Sequence, residues 1–319
     1  MPSSEPAGTE TASARHIYIY SPSGAVRDPA AFARGVRRLE SLGHRVEVDR
    51  DALARHQRFA GDDAVRAAAV ARAAASGADV AMISRGGYGL TRILPALDYE
   101  ALGTAVERGL RFVGLSDFTA LQAALLARAD AGSWAGPALL DDFSAEGGTD
   151  PITLAAFANL LQDRAAAVAW RSPDDGRPVP DLRIEDAVLW GGNLSVLSVL
   201  LGTPYLPAVD GGILFFEDVN EHPYRVERML AQWLHAGILS RQRALVFGRF
   251  TDYRLSPHDQ GFDLPDVLRW IGEQARVPVV AGLPFGHAPG KPAIPFGRRA
   301  DLSVAAGEVR LAWSAPRPA

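Results

Sequence analysis

The stretch RFVGLSDFTALQAALLARA (111–129) joins a short apolar run to a helical pattern at Ser116. The run FVGL (112–115) is typical of a buried strand, because it is apolar and short. Leu121 and Leu125 then follow at the spacing of an amphipathic helix. A strand therefore meets a helix at Ser116, and strand–helix junctions of this kind are the building units of α/β sheets.

Ser116 has two possible roles at this junction. Its hydroxyl can accept a hydrogen bond from a first-turn amide and so cap the helix. Alternatively, the turn is a nucleophile elbow that presents the serine above the sheet. Gly114 stands where the G-x-S-x-G motif has its first glycine, but Phe118 replaces the second. Read alone, the stretch leaves both roles open.

The same alternation extends towards the N-terminus. HIYIYSPSG, HRVEVD and DVAMIS are predicted strands, and AAFARGVRRLESLG and AVRAAAVARAAASG are predicted helices that end at glycines. The glycine-rich turn RGGYG (85–89) follows the third strand. This order predicts a parallel sheet covered by helices, which binds ligands at the carboxyl ends of its strands. Ser116 and the glycine-rich turn both fall at such ends.

The composition changes near the middle of the chain. RSPDDGRPVPDL (171–182) is rich in Pro, Asp and Gly, as linkers are, and shorter apolar runs follow it. We predict an α/β protein with a disordered tail (1–15), a Rossmann-like parallel-sheet domain (16–170), the linker, and a smaller, mixed β-rich α/β domain (183–319). YRVERMLAQWLHAG is the clearest helix of that second part.

Charge and composition exclude several classes of function. The net charge of -4, with scattered basic residues, argues against a nucleic-acid surface. The chain has no cysteine, which excludes disulfides, thiolate metal sites and cysteine nucleophiles and suits a reducing cytoplasm. The first residues lack the apolar core of a signal peptide, and no run is long enough for a transmembrane helix. We expect a soluble cytoplasmic protein.

Two further polar residues end apolar runs in the second half. His287 ends VPVVAGLPFGH in a loop rich in glycine and proline, where it either serves as a catalytic base or is satisfied within the turn. Glu217 follows GGILFF, where it either emerges into solvent or is held at the rim of a buried site. A serine nucleophile needs such a base and an acid that orients it.

Eight blocks of the sequence carry a family resemblance. They are IYIYSPSG, RFAGDD, SRGGYGLTRILPALDY, FVGLSDFTAL, GPALLDDF, LWGGNLSVLSVLLGTPYLP, ILFFEDVNEHPYRVERML and GLPFGHAPGKPAIPFG. In this order they resemble the LD-carboxypeptidase family of serine peptidases, which includes the muramoyltetrapeptide carboxypeptidases. The resemblance covers nearly the whole chain after the tail.

The resemblance implies a catalytic triad in a cleft between two domains. Ser116 would be the nucleophile, His287 the general base and later acid, and Glu217 the residue that orients the imidazole. We expect the N–H of Asp117 to donate to the oxyanion, with Gly86 or Gly87 as the second donor. The Asp117 side chain can cap the following helix, and the glycine pair also permits a tight turn.

Substrate contacts are predicted at four positions. Arg85 can bind a terminal carboxylate through its guanidinium fork, or else form a structural ion pair. Trp190 and Asn193 can line the same cleft, although core packing is the more common use of an aromatic beside strand residues. Tyr88 is open to both interpretations.

The expected activity is release of terminal D-alanine from L,D-linked murein tetrapeptides during cell-wall recycling. We expect a homodimer that needs no metal or other cofactor and binds neither nucleic acid nor membrane. Ala135 replaces the histidine found before GP in many family members, a departure that does not affect the triad. One alternative is a peptidase of the microcin C immunity branch, which cleaves peptide–nucleotide conjugates; another is a non-catalytic ligand-binding protein.

Overall fold

The structure, a computed structural model, describes residues 14–173 and 179–314. The predicted tail lies almost wholly outside these residues, as does the centre of the predicted linker. None of the helices within the described ranges combines the length and apolar character needed to cross a bilayer.

The described residues form two sheets and the helices that cover them. The strands are β1 (His16–Tyr20), β2 (Arg45–Val48), β3 (Val80–Ile83), β4 (Arg111–Gly114), β5 (Ser133–Ala135), β6 (Ala166–Arg171), β7 (Leu182–Asn193), β8 (Ile213–Val219), β9 (Ala244–Thr251), β10 (Val279–Ala281), β11 (Ile294–Phe296), β12 (Arg298–Ala305) and β13 (Glu308–Trp313). The helices are α1 (Pro29–Ser41), α2 (Asp63–Ala75), α3 (Leu90–Ile93), α4 (Tyr99–Glu107), α5 (Thr119–Ala129), α6 (Pro151–Leu161), α7 (Leu194–Ser198), α8 (Pro223–His235) and α9 (Leu264–Ala275).

The first sheet has the strand order β11-β5-β4-β3-β1-β2. Its strands β1 to β5 are parallel, and β11 adds an antiparallel edge beside β5. Val113 of β4 lies between Met82 and Trp134 of the neighbouring strands. The central strands are buried on both faces, as apolar runs in a covered parallel sheet should be.

The helix α5 is more deeply buried than its sequence pattern predicts. The spacing of its leucines indicates an amphipathic helix, yet Thr119, Gln122 and the alanines between the leucines are buried as well. The reason is its position, because α5 follows β4 of the first sheet and also packs against β7 and α7 of the second. It therefore connects the two halves of the molecule.

The second sheet has the order β10-β9-β8-β7-β12-β13-β6. Strands β7 to β10 are parallel to one another, whereas β12 pairs antiparallel with both β7 and β13, and β13 pairs antiparallel with β6. The predicted α/β class, with a Rossmann-like parallel sheet followed by a mixed one, is confirmed.

Two strands cross the predicted linker. β6 ends at Arg171, the first residue of the predicted linker, but pairs with β13 in the second sheet. β11 belongs to the C-terminal half but pairs with β5 in the first sheet. Each half of the chain on either side of the linker therefore contributes one strand to the sheet of the other half. The domain boundaries at 16–170 and 183–319 remain a prediction.

Candidate active site

Ser116 occupies a strained turn at the carboxyl end of β4. Its backbone has φ +66°, a left-handed conformation that costs free energy for a residue with a side chain. Residues Ser116–Phe118 form a single 3₁₀ turn before α5 begins. The side chain is partly exposed while the residues on both sides of it are buried. This is the geometry expected of an exposed serine on a sharp strand-to-helix turn.

The capping role predicted as one alternative for Ser116 is not observed. Neither the 3₁₀ turn nor α5 has a side-chain hydrogen bond at its N-terminal cap. Phe118, which replaces the second glycine of the elbow motif, is fully buried. A Cβ on Gly114 would lie 2.8 Å from the Phe118 ring, so Gly114 makes room for that ring. The Phe118 ring thus fills the space that the absence of a side chain at Gly114 leaves.

The sequence suggested that the Asp117 side chain could cap the following helix, but it does not. Its carboxylate is buried and accepts a hydrogen bond of 2.9 Å from the backbone N–H of Leu90, the first residue of α3. Burial raises the pKa of this carboxyl above its usual range, against the hydrogen bonds that lower it. Asp117 therefore ties the serine turn to the end of the glycine-rich turn.

The glycine-rich turn touches Ser116 through Gly86. A Cβ on Gly86 would lie 2.6 Å from Ser116 Cβ and 2.8 Å from Ser116 Oγ, closer than any real side chain allows. Gly87 has φ +119°, and a Cβ there would approach Arg85 and Gly24 instead. Among the described residues, the N–H groups of Gly86, Gly87 and Asp117 donate to no backbone carbonyl. No backbone carbonyl of the described residues competes for these amides, and Gly86 is the glycine of the pair that contacts Ser116.

Glu217 does not emerge into solvent at the end of β8. The residue is 1% exposed and lies opposite Asn193 in the parallel register of β7 and β8. The register between β8 and β9 shifts at this point, a bulge of the kind that re-aims side chains near active sites. Gly248 on β9 lets the chain before His287 approach, since a Cβ there would lie 2.5 Å from the Phe285 carbonyl oxygen.

Glu217 and His287 form a hydrogen-bonded pair. The distance between Glu217 Oε2 and His287 Nδ1 is 2.7 Å, and the imidazole remains 20% exposed. Burial alone lowers the pKa of His287, but the hydrogen bond to Glu217 and the charges of Glu217, Asp141 and Asp218 raise it above its ordinary value. With Nδ1 bonded to the carboxylate, Nε2 is the nitrogen left for proton transfer.

Asn193 holds the Glu217 carboxylate, a role that its place in LWGGN did not reveal. Its Nδ2 donates to Glu217 Oε1 at 3.2 Å and to Asp218 Oδ1 at 3.0 Å, while its Oδ1 accepts from the N–H of Val196 and caps α7. It is buried and therefore supports the site rather than lining the cleft. Its backbone N–H donates to Thr119 Oγ1 at 3.2 Å, which links this cluster to the helix after Ser116.

Sequence reasoning missed Asp218, which lies beside Glu217. Burial, and then the charge of Glu217, raise its pKa to about 6. Its oxygens accept from the N–H groups of Ser195 and Val219 at 2.8 Å each. The dipeptide Glu-Asp at a strand end was the only indication in the sequence, and it did not say that both carboxyl groups are buried.

Trp190 is not a cleft residue. Its side chain is fully buried, its Nε1 donates to Gln242 Oε1 at 3.1 Å, and its ring packs near Trp233 at 6.0 Å between centroids. Ala135 is also buried, within β5 opposite Ile294, so its side chain does not reach solvent. The core interpretation of Trp190 therefore applies, and Ala135 is part of the buried first sheet.

Arg85 and Tyr88 both reach a cavity beside the glycine-rich turn. Arg85 is half-buried, donates to the Ala25 carbonyl at 3.5 Å, and forms no ion pair with a described carboxylate. Tyr88 is 45% exposed, with its ring 5.9 Å from that of Phe59. The structural ion pair considered for Arg85 is therefore absent from the described part of the chain.

Lys291, also missed, anchors the loop that carries His287. It is the chain's only lysine, and its Nζ lies 2.5 Å from Asp142 Oδ1, with both side chains 3% exposed. Thr153 Oγ1 donates to the Lys291 carbonyl at 3.2 Å. The adjacent Asp141 is exposed, and its charge acts on both Arg85 and His287.

Comparison with known proteins matches both halves of the chain to one family. The LD-carboxypeptidase N-terminal domain matches residues 17–136, and the LD-carboxypeptidase C-terminal domain matches residues 186–302. A putative carboxypeptidase of Streptomyces coelicolor is 33% identical over 305 residues, which cover 92% of each chain.

Solved structures give the same result. The chain is similar to a muramoyltetrapeptide carboxypeptidase from Oxalobacter formigenes, with 40% identity, a TM-score of 0.86, and coverage of 95% of this chain and 100% of the other. The wild-type microcin C7 self-immunity protein MccF is 21% identical, with a TM-score of 0.83 and coverage of 95% and 97%. The second likeness shows a shared fold alone.

Proposed function

The chain belongs to the LD-carboxypeptidase family of serine-type hydrolases, and on this basis we propose that it releases terminal D-alanine from murein tetrapeptides with a Ser-His-Glu triad. The observation that carries the proposal is the 2.7 Å pair between His287 Nδ1 and Glu217 Oε2. It orients the imidazole of the loop after β10, and the left-handed turn at Ser116 presents a hydroxyl. The Asn193 N–H donates a hydrogen bond to Thr119 Oγ1, which connects the helix after Ser116 to the cluster around Glu217.

In this mechanism Ser116 Oγ attacks the carbonyl carbon that precedes the terminal residue. His287 takes the hydroxyl proton at Nε2, and Glu217 stabilises the imidazolium that forms. The N–H of Asp117 and one amide of the Gly86–Gly87 turn donate to the developing oxyanion. His287 then gives its proton to the departing D-alanine nitrogen. A water activated by the same imidazole hydrolyses the acyl-enzyme.

Arg85 is the proposed partner of the terminal carboxylate. Its guanidinium is partly buried next to the glycine turn and forms no ion pair with a described carboxylate. A planar guanidinium binds a carboxylate through two parallel hydrogen bonds, which fixes orientation as well as affinity. This would restrict cleavage to the end of the peptide.

The test is D-alanine release from a murein tetrapeptide with EDTA present. We expect release by the wild type, its loss in Ser116→Ala and His287→Ala, and a strong reduction in Glu217→Ala. Ser240 is an exposed serine in the turn after α8, so the Ser240→Ala variant is the matched control and should retain full activity. Circular dichroism checks that each variant is folded.

Three outcomes would count against the proposal. Undiminished release of D-alanine by the Ser116→Ala variant would exclude Ser116 as the nucleophile. Release that chelation abolishes would point to a metal-dependent reaction. No release by folded wild type would redirect the assay to peptide–nucleotide conjugates and then to a non-catalytic binding role.

The setting of the reaction belongs to the same proposal. We propose a cytoplasmic homodimer that acts on peptides recovered from the cell wall. Light scattering during size-exclusion chromatography tests the dimer, and a mass of 34.0 kDa in solution would exclude it. Fractionation of cells tests the compartment.

A further inference from the structure

A cavity of about 360 Å³ lies beside the glycine-rich turn and is lined by four arginines. Arg27, Arg55, Arg58 and Arg85 contribute these guanidinium groups, and no acidic residue lines the cavity. Tyr88 forms part of the wall, and the Arg58 guanidinium lies 5.8 Å from the centre of its ring. The chain as a whole is acidic, so this concentration of positive charge is local.

The four guanidinium groups lack ionic partners within the described residues. Arg55 donates to the Gln57 carbonyl at 3.4 Å and Arg85 to the Ala25 carbonyl at 3.5 Å, and neither carbonyl carries a net charge. None of the four forms an ion pair with a described carboxylate. Burial, and then the charge of Arg27, lower the pKa of Arg85, as expected where like charges meet.

Two glycines create the space for the most buried of these groups. A Cβ on Gly24 would lie 2.2 Å from Arg85 Nη1, and a Cβ on Gly87 would lie 3.0 Å from the same atom. Gly24 also donates from its N–H to the Gly86 carbonyl at 3.2 Å. The Arg85 guanidinium therefore lies against the backbone of two glycines, which distinguishes it from an arginine that extends freely from the surface.

The cavity adjoins the proposed nucleophile. Arg85 and Gly87 line it, and Gly86 between them touches Ser116. The glycine-rich turn therefore separates the cavity from the serine turn. Arg85 can bind only one terminal carboxylate, so Arg27, Arg55 and Arg58 have charge left for another anion.

We propose that this cavity is a second anion subsite, which selects substrates carrying an acidic group in addition to their terminal carboxylate. The inference rests on the proposed peptidase function for the identity of the substrate. The shared chemistry is an oxyanion, either a carboxylate within the peptide or a phosphate of a conjugate. Charge-assisted hydrogen bonds from several guanidinium groups are the expected contacts.

The test measures binding in the Ser116→Ala background, so that turnover does not interfere. Two tetrapeptides with the same free C-terminus differ only in one internal group, a carboxylate or its carboxamide. We expect the carboxylate peptide to bind about tenfold tighter or more, and the preference to shrink as ionic strength rises. Arg27→Gln and Arg58→Gln should each reduce it, and the combined variant should remove it.

Arg37→Gln is the matched control, because Arg37 is an exposed arginine on α1 outside the cavity. It should keep the wild-type preference. Equal affinity for the two peptides, or a preference that survives the combined variant, would overturn the subsite. A phosphate-bearing peptide that binds tighter still would identify the conjugate as the source of the anion. Because this assay reports binding, failure of the subsite is distinguishable from failure of hydrolysis by the wild type.

Discussion

Gly86 and Ser116 approach each other so closely that the glycine has no substitute. We expect Gly86→Ala to reduce D-alanine release by at least about a hundredfold, since the new methyl would displace Ser116 Oγ and misplacement by about 1 Å costs that much. Overpacking should cost about 1–3 kcal/mol of unfolding free energy. Gly147→Ala is the control, because a Cβ there meets nothing within 4 Å. A Gly86→Ala enzyme with wild-type turnover would show that the close approach has no catalytic consequence.

The raised pKa of His287 sets the pH dependence of the reaction. The base must be neutral, so kcat/KM should rise with pH through a value above the ordinary 6.5. Glu217→Gln keeps the shape of the side chain and removes its charge. The pKa of His287 should therefore fall, and the acid limb of the profile should move to lower pH while kcat decreases.

NMR titration of the His287 ring provides a direct check on that shift. Glu273→Gln, an exposed carboxylate on α9, should leave the acid limb in place. An unchanged or higher pKa in Glu217→Gln would contradict the assigned pairing. The raised pKa also implies that the hydrogen-bonded pair of His287 and Glu217 contributes its full stabilisation of the folded state below pH 6.5. This contribution is lost as the pH rises through the pKa that His287 has in the folded protein.

The loop after His287 depends on one buried ion pair. Lys291→Met would leave Asp142 buried without its partner, and we expect a loss of about 3–5 kcal/mol in unfolding free energy by urea titration. A double variant with Asp142→Leu should recover part of that loss. Arg171→Gln breaks an exposed pair with Glu308 and should cost about 0–1 kcal/mol. Equal losses in Lys291→Met and Arg171→Gln would show that the buried pair does not hold the loop.

Local elements were predictable from the sequence because each has its own periodicity and end signals. The strand before Ser116 and the helices ending at Gly43 and Gly77 needed only apolar spacing and glycine. In a sheet covered on both sides, the sequence does not show which side chains of a strand face the core and which face the cleft. Trp190 therefore turned out to be core, although it lies three residues before Asn193.

Contacts between residues far apart in the sequence could not be predicted either. Lys291 and Asp142 are 149 residues apart, and no local pattern reports such a pair. Ile294–Phe296 is a three-residue strand with a central proline, which resembles a loop in the sequence, yet it forms the edge of the first sheet. The position of Ser116 directly after β4 was predictable, whereas Glu217 lies inside β8 and His287 lies in the loop after β10. The support that Asn193 and Asp218 give to Glu217 arises from the register of β7 and β8.

At the scale of the whole molecule, the exchange of β6 and β11 predicts that the two sheets fold as one unit. A chain divided into residues 1–173 and 179–319 would leave β6 without β13 in one fragment and β11 without β5 in the other. We expect neither fragment to fold alone, since each would expose an unpaired strand and an apolar edge. Mixed together during refolding, the two should associate and recover D-alanine release.

The intact chain offers the complementary measurement. If the sheets depend on each other, urea unfolding followed by tryptophan fluorescence and by far-ultraviolet circular dichroism should give coincident single transitions. Trp134 lies in the first sheet and Trp190 in the second, so the fluorescence reports on both. Two separated transitions, or a cooperative transition in an isolated fragment, would show that the halves fold independently. The site would then depend on docking between domains, because Ser116 lies after β4 of the first sheet and Glu217 lies in β8 of the second.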